Sequence, residues 1–152
     1  MFRYRPVGGE FLRHLQYLRY LQYLRRLLQV QNEYMNGVPS QIDSKLLVGA
    51  KLTQVCTGLH EVILHFDNGT TLTIECNVTA CTADSVDEFS ESTTFGKWAV
   101  IALGKKIRSM ESKNGKSLLI TFDDDISIEI HDSNAPNYES FTIQNGNTIV
   151  IV

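Results

Sequence analysis

The sequence predicts a mainly β fold: two three-stranded meander repeats packed as a sandwich or half-open barrel, with a basic helix ahead of them. Three observations carry this. Gly49-Ala50-Lys51-Leu52, Leu64-His65-Phe66-Asp67 and Leu72-Thr73-Ile74 recur as Gly104-Lys105-Lys106-Ile107, Ile120-Thr121-Phe122-Asp123 and Ile128-Glu129-Ile130. The copies are offset by 55 residues up to Met110 and by 56 from Ile120 onward. The one-residue slip therefore falls in a turn, as expected of a duplicated structural unit. Within each copy apolar and polar residues alternate, the period of a half-buried strand. Turn signals such as Asn114-Gly115 and Asn145-Gly146 separate the runs.

Each element follows from these patterns. Strands are expected at about 50–57, 61–67 and 70–77, again at 105–111, 117–123 and 126–132, and finally at 138–143 and 147–152. A two-residue turn at Asn68-Gly69 would put Phe66 and Leu72 on opposite faces. Keeping both inside requires an odd loop, such as a three-residue turn with a residue in the left-handed region. The second copy has Asp123-Asp124-Asp125 there, with Asp125 in the place of Gly69. Trp98–Leu103 precedes the second copy as Lys45–Val48 precedes the first, and is read as a short helix or a buried strand. The polar run Thr82–Thr94 is read as the connection between copies.

The amino-terminal segment, residues 1–36, differs from the body at 44–152. Leu12, Leu15, Leu18, Leu21, Leu24 and Leu27 recur every third residue, and no Gly or Pro interrupts 10–36, so a helix is expected. A step of three leaves the leucine stripe winding around such a helix, a poor match to one fixed buried face. The segment is read two ways. It is a basic amphipathic helix that docks on an acidic partner, a membrane surface or the acidic body, or it is a low-complexity stretch translated from short repeated DNA ahead of a true start at Met35. Asn36-Gly37-Val38-Pro39-Ser40 reads as the linker.

Charge is divided just as sharply. Six arginines against Glu10 and Glu33 give residues 1–34 a charge of +4, while seven lysines and Arg108 against fifteen acids give residues 35–152 a charge of −7. An acidic body argues against nucleic acid and for a basic protein partner. Three cysteines and no secretory leader point to reduced thiols in a cytoplasm.

No catalytic or metal motif emerges. Cys56, Cys76, Cys81, His60, His65 and His131 lack the close pairs that zinc sites use, and Cys76 continues the inward parity of Leu72 and Ile74 as a structural thiol. The Asp123–Asp125 run lacks the remainder of a calcium loop. No nucleophile elbow or phosphate loop is present, so neither an enzyme nor a cofactor is expected. In Tyr138-Glu139-Ser140-Phe141-Thr142-Ile143, Glu139 shares the parity of Phe141 and Ile143, and reads as a rim residue or a polar anchor at a partner-facing edge.

The duplicated Leu-x-Phe-x-x-Gly-x-x-Leu-x-Ile pattern, closed by Tyr138-Glu139-Ser140-Phe141, resembles a bacterial family of small β proteins known as a domain of unknown function. The resemblance covers 44–152. It implies the duplicated fold, and by the habit of small acidic proteins of this kind it suggests an immunity protein encoded beside a toxin. The expected function is thus a non-enzymatic, cytoplasmic protein-binding domain that occludes a basic toxin, with contacts at Asp84, Asp87, Glu88, Glu91, Asp123, Asp124 and Asp125. The alternative is a small-ligand module holding its ligand between the meanders.

Overall fold

The computed structural model describes residues 17, 19–24, 37–133 and 139–152. The chain divides into two units, 1–35 and 36–152. In the first, residues 17 and 19–24 are helical, with Tyr17, Tyr20 and Tyr23 exposed. The remainder of the expected basic helix, and Tyr138, lie outside the described residues.

The second unit is a β sandwich of two five-stranded antiparallel sheets. Its strands are β1 (Leu52–Thr57), β2 (Val62–Phe66), β3 (Thr71–Ile74), β4 (Val78–Cys81) and β5 (Val86–Phe89), then β6 (Ile107–Lys113), β7 (Ser117–Phe122), β8 (Ser127–His131), β9 (Phe141–Asn145) and β10 (Thr148–Ile151). The first sheet runs β1-β2-β3-β9-β10 and the second β5-β4-β8-β7-β6. Each meander thus anchors one sheet, while the hairpin that follows it crosses to the other.

The alternation read in the sequence becomes burial. Val62, Leu64, Phe66, Leu72 and Ile74 point inward from the first sheet, and Leu118, Ile120, Phe122, Ile128 and Ile130 from the second. Phe141, Ile143, Val78 and Ala80 complete the core from the exchanged hairpins. Strands β1 and β6 carry matching irregularities, an extra residue at Thr53 and at Arg108. Such bulges bend a strand and increase its twist.

The sheets meet where the two copies begin. Gly49 N–H donates to Ile107 O and Gly104 N–H to Leu52 O, both at 2.8 Å. Leu52 N–H donates to Lys105 O and Ile107 N–H to Ala50 O, at 3.0 and 2.9 Å. Gly49 and Gly104 have φ of 85° and 79°, a backbone that a side chain resists.

The β2–β3 hairpin has three loop residues, Asp67 to Gly69, with Gly69 at φ 82°. Its counterpart between β7 and β8 also has three, Asp123 to Asp125, and places Asp124 and Asp125 at φ 60° and 57°. The odd loop expected from parity is therefore present in both, with Asp125 left-handed where the first copy uses glycine.

Three expectations are corrected. The Thr82–Thr94 connection contains β5, an edge strand too short and too polar (Val86-Asp87-Glu88-Phe89) to show alternation. The expected strand at 70–77 is broken at Glu75–Asn77, where the chain leaves the first sheet for the second. The strand expected from 138 begins at Phe141. The segment before the second copy is helix α1 (Ser92–Ala99) followed by a 3₁₀ turn at Val100–Ala102, matching the 3₁₀ turn Ser44–Leu46 before the first. Phe95 and Ala99 anchor α1 in the core, and Phe89, Phe95 and Trp98 cluster with ring centroids 5.8–6.2 Å apart. Val38 is buried and its N–H donates to Gly115 O at 3.0 Å, so the packed unit starts ahead of residue 44.

An L-residue in the left-handed region is strained relative to glycine, so Asp125→Gly should raise stability by about 0.5–1 kcal/mol. Chemical denaturation reads this directly, and an unchanged or lower midpoint would contradict the assigned backbone.

Candidate functional site

Register decides which polar side chains share a surface. On the outside of the second sheet, Thr79 lies between Glu88 of β5 and Glu129 of β8, and Glu129 lies opposite Leu119, which faces Glu111 of β6. Glu88, Thr79, Glu129, Leu119 and Glu111 therefore form one row across all five strands. Asn77, His131, Ser117 and Lys113 lie in the next row, where Ser117 pairs with both His131 and Lys113.

Two diagonal hydrogen bonds stitch the rows together. Thr79 Oγ1 and His131 Nε2 are 2.8 Å apart, and Ser117 Oγ donates to Glu129 Oε1 at 2.5 Å. A groove of about 370 Å³ runs beside the first pair, lined by Asn77, Val78, Thr79, Glu88, Phe89, Ser90 and His131. A histidine-bonded hydroxyl is one element of nucleophilic catalysis, but a third group orienting the imidazole is also required. The Glu129 carboxylate is engaged with Ser117 instead.

The outside of the first sheet is different. Gln54, His65, Thr71, Gln144 and Ile149 form one row, and Cys56, Ile63, Thr73, Thr142 and Ile151 another. None of these residues is an acid, a lysine or an arginine. The acidity of the strand faces is thus concentrated on the second sheet.

The seven acids singled out in the sequence occupy three places. Asp84, in the β4–β5 turn, and Asp123–Asp125, in the β7–β8 turn, project from the same end of the second sheet, since both turns follow the level at which Cys81 pairs with Val86 and Ser127. Asp87 and Glu88 lie on the exposed edge strand β5, with Ser85 Oγ donating to Asp87 Oδ2 at 3.1 Å. Glu91 is the N-cap residue of α1. Asp123 pairs with Arg108 at 3.0 Å and Asp124 with Lys105. The hydrogen bond from Lys105, reinforced by its charge, holds the Asp124 carboxyl below the usual carboxylate range. Two of the seven are therefore already neutralised within the chain.

Sequence reasoning missed Glu111 and Glu129. Each stands on an outward strand face, but only the hairpin crossover puts Glu88 in line with them.

A second acidic group sits at the other end of the first sheet. Burial, then the charges of Glu139 and Glu61, push the Glu75 carboxyl above its ordinary value. Glu139 is exposed, as expected of a rim position. Cys76, packed against the core, has its thiol pushed up to about 12, mainly by burial and next by Asp132. Cys76 is half-buried, and a thiol held protonated in this way is a weak nucleophile. All three cysteines are free.

Among the described residues, no group of three or more His, Cys, Asp or Glu is placed to hold a metal ion. No helix among them is long and apolar enough to cross a membrane. Leu52, Leu64, Leu72, Leu118, Ile120, Ile128, Phe122 and Phe141 fill the space between the sheets, each at most 2 % exposed. No family model, curated protein or solved structure matches this chain.

Glu75 yields a pH prediction. Its folded value is raised, so its contribution to stability is full below the unfolded value and is lost as pH rises through the folded value. Glu75→Gln should therefore raise stability at neutral pH, by under about 1 kcal/mol because water screens a half-exposed group, and thermal unfolding reads this as a higher midpoint. The gain should vanish in acid. A gain that persists at low pH would exclude carboxylate repulsion as its source.

Proposed function

We propose that the protein is a non-enzymatic protein-binding domain whose acidic sheet face docks on a basic partner. Its specific form is an immunity protein, acting in the cytoplasm to occlude a cognate bacterial toxin. The observation that carries the reading is the row Glu88, Glu129 and Glu111, set across the outer face of the second sheet of a body with charge −7. Three carboxylates held in line by strand register offer complementary charge without ordering of the backbone on binding. Complementary charge speeds encounter and restricts partner choice.

Asp84, Asp87 and Asp125 extend this surface at its edge and end, and Glu91 lies farther off at the α1 terminus. Asp123 and Asp124 serve the reading less well, because Arg108 and Lys105 already engage them. The family resemblance of the duplicated motif belongs to the same proposal.

The test is inhibition of the toxin encoded at the same locus by the full chain. Stoichiometric inhibition is expected. The Glu88→Lys, Glu111→Lys, Glu129→Lys variant should associate more slowly by on the order of ten-fold, with a weaker dependence on salt. Toxin activity untouched by an excess of the wild-type chain would overturn the immunity reading. Unaltered association of the variant would remove this face from the interface.

A further inference from the structure

The two sheets have four edges, and three are guarded. The outer side of β1 is engaged at its start by Gly104 and Lys105, and the β1 strand carries a bulge. The same holds for β6, engaged by Gly49 and Ala50, bulged at Arg108 and charged at Arg108, Glu111 and Lys113. Strand β5 carries Asp87 and Glu88, both exposed. Bulges, charges and covering segments are the devices by which natural edges avoid pairing.

Among the described residues, strand β10 has none of them. Thr148-Ile149-Val150-Ile151 contains no charge, proline or bulge, and among the described residues β10 has β9 as its single neighbour. Phe141 and Val152 exchange hydrogen bonds, Phe141 N–H to Val152 O at 3.2 Å and Val152 N–H to Phe141 O at 3.0 Å. Antiparallel ladders alternate, so Val150 is the next bonded pair with β9, and Ile149 and Ile151 turn their N–H and C=O groups away from it. The exposed strand thus presents two donors and two acceptors in register.

We propose that β10 pairs antiparallel with β10 of a second copy, centred on Val150, joining the first sheets of two protomers into one ten-stranded sheet. The geometry is self-complementary: Ile149 meets Ile151 of the other copy, and each of the two such pairs exchanges two hydrogen bonds. A two-fold contact requires that kind of match. Charge selects the occupant. Two acidic bodies repel, and the β10 edge, Thr148-Ile149-Val150-Ile151, is where they can meet with no carboxylate on the pairing strand. A basic partner has no reason to prefer this uncharged edge over the Glu88–Glu111 row.

The experiment is sedimentation of the full chain over a dilution series, with amide exchange followed at Ile149 and Ile151. A dimer at high concentration is expected, with both amides protected in proportion to dimer. Ile149→Lys with Ile151→Lys should give a monomer, while Val86→Lys on the β5 edge leaves the dimer intact. A wild-type chain that stays monomeric overturns the proposal, as does a dimer that survives the double substitution or leaves those amides unprotected. Should the double variant fail the circular-dichroism check of its fold, amide protection in the wild-type chain decides alone. Protection that arises only on adding a basic protein would assign the edge to that protein instead.

Discussion

The hydrogen bonds exchanged between residues 49–52 and 104–107 are the constraint on which the architecture rests. Two chain segments that begin equivalent meanders run past each other, and each satisfies the other's backbone groups: Gly49 with Ile107, Ala50 with Ile107, Leu52 with Gly104 and Lys105. Leu52 and Ile107 are both 1 % exposed, so an unpaired peptide group there would lose about 1–3 kcal/mol with no water to compensate. The joint also fixes where β1 and β6 start, and hence which side of each meander faces inward. From the inward faces follow the core, and from the outward faces the contrast between a charged sheet and an uncharged one.

The exchanged hairpins reinforce that joint. Glu75 N–H donates to Ser140 O at 2.9 Å where β3 hands over to β9, and His131 N–H donates to Asn77 O at 3.0 Å where β8 hands over to β4. Val78 pairs with Ile130 as Phe141 pairs with Ile74. Each sheet is therefore completed by strands from the other half of the chain, and neither half can bury its own meander alone. Ser140, fully buried, donates to Asp132 Oδ1 at 2.8 Å and accepts from Ser133 N–H at 2.9 Å, closing one crossing with polar contacts.

Much of this was legible in the sequence because strand parity is a local property. Leu64, Phe66, Leu72 and Ile74 declared their inward face, and parity alone required an odd loop after Phe66, which the hairpin closes with three residues. What could not be read was set by distant partners. The β5 strand is four residues with two acids, and nothing local distinguishes it from a loop; its pairing with β4 makes it a strand. Nothing local marks Glu129 and Glu111, because their alignment with Glu88 exists only after β4–β5 crosses to the second sheet. Asp123 and Asp124 looked like free acids for the complementary reason: Arg108 sits on a bulge and Lys105 in the joint, and neither position has a sequence signature. The uncharged outer face of the first sheet was equally invisible, since it combines residues from β1, β2, β3, β9 and β10.

Native-state amide exchange at the joint tests this account most directly. If the reciprocal crossing holds the two sheets together, the amides of Gly49, Leu52, Gly104 and Ile107 will exchange with the same free energy as those of the core strands, in one global opening. If those four exchange through an easier local opening while Leu72 and Ile120 stay protected, the sheets are held by packing alone and the crossing is a consequence of the fold rather than its basis.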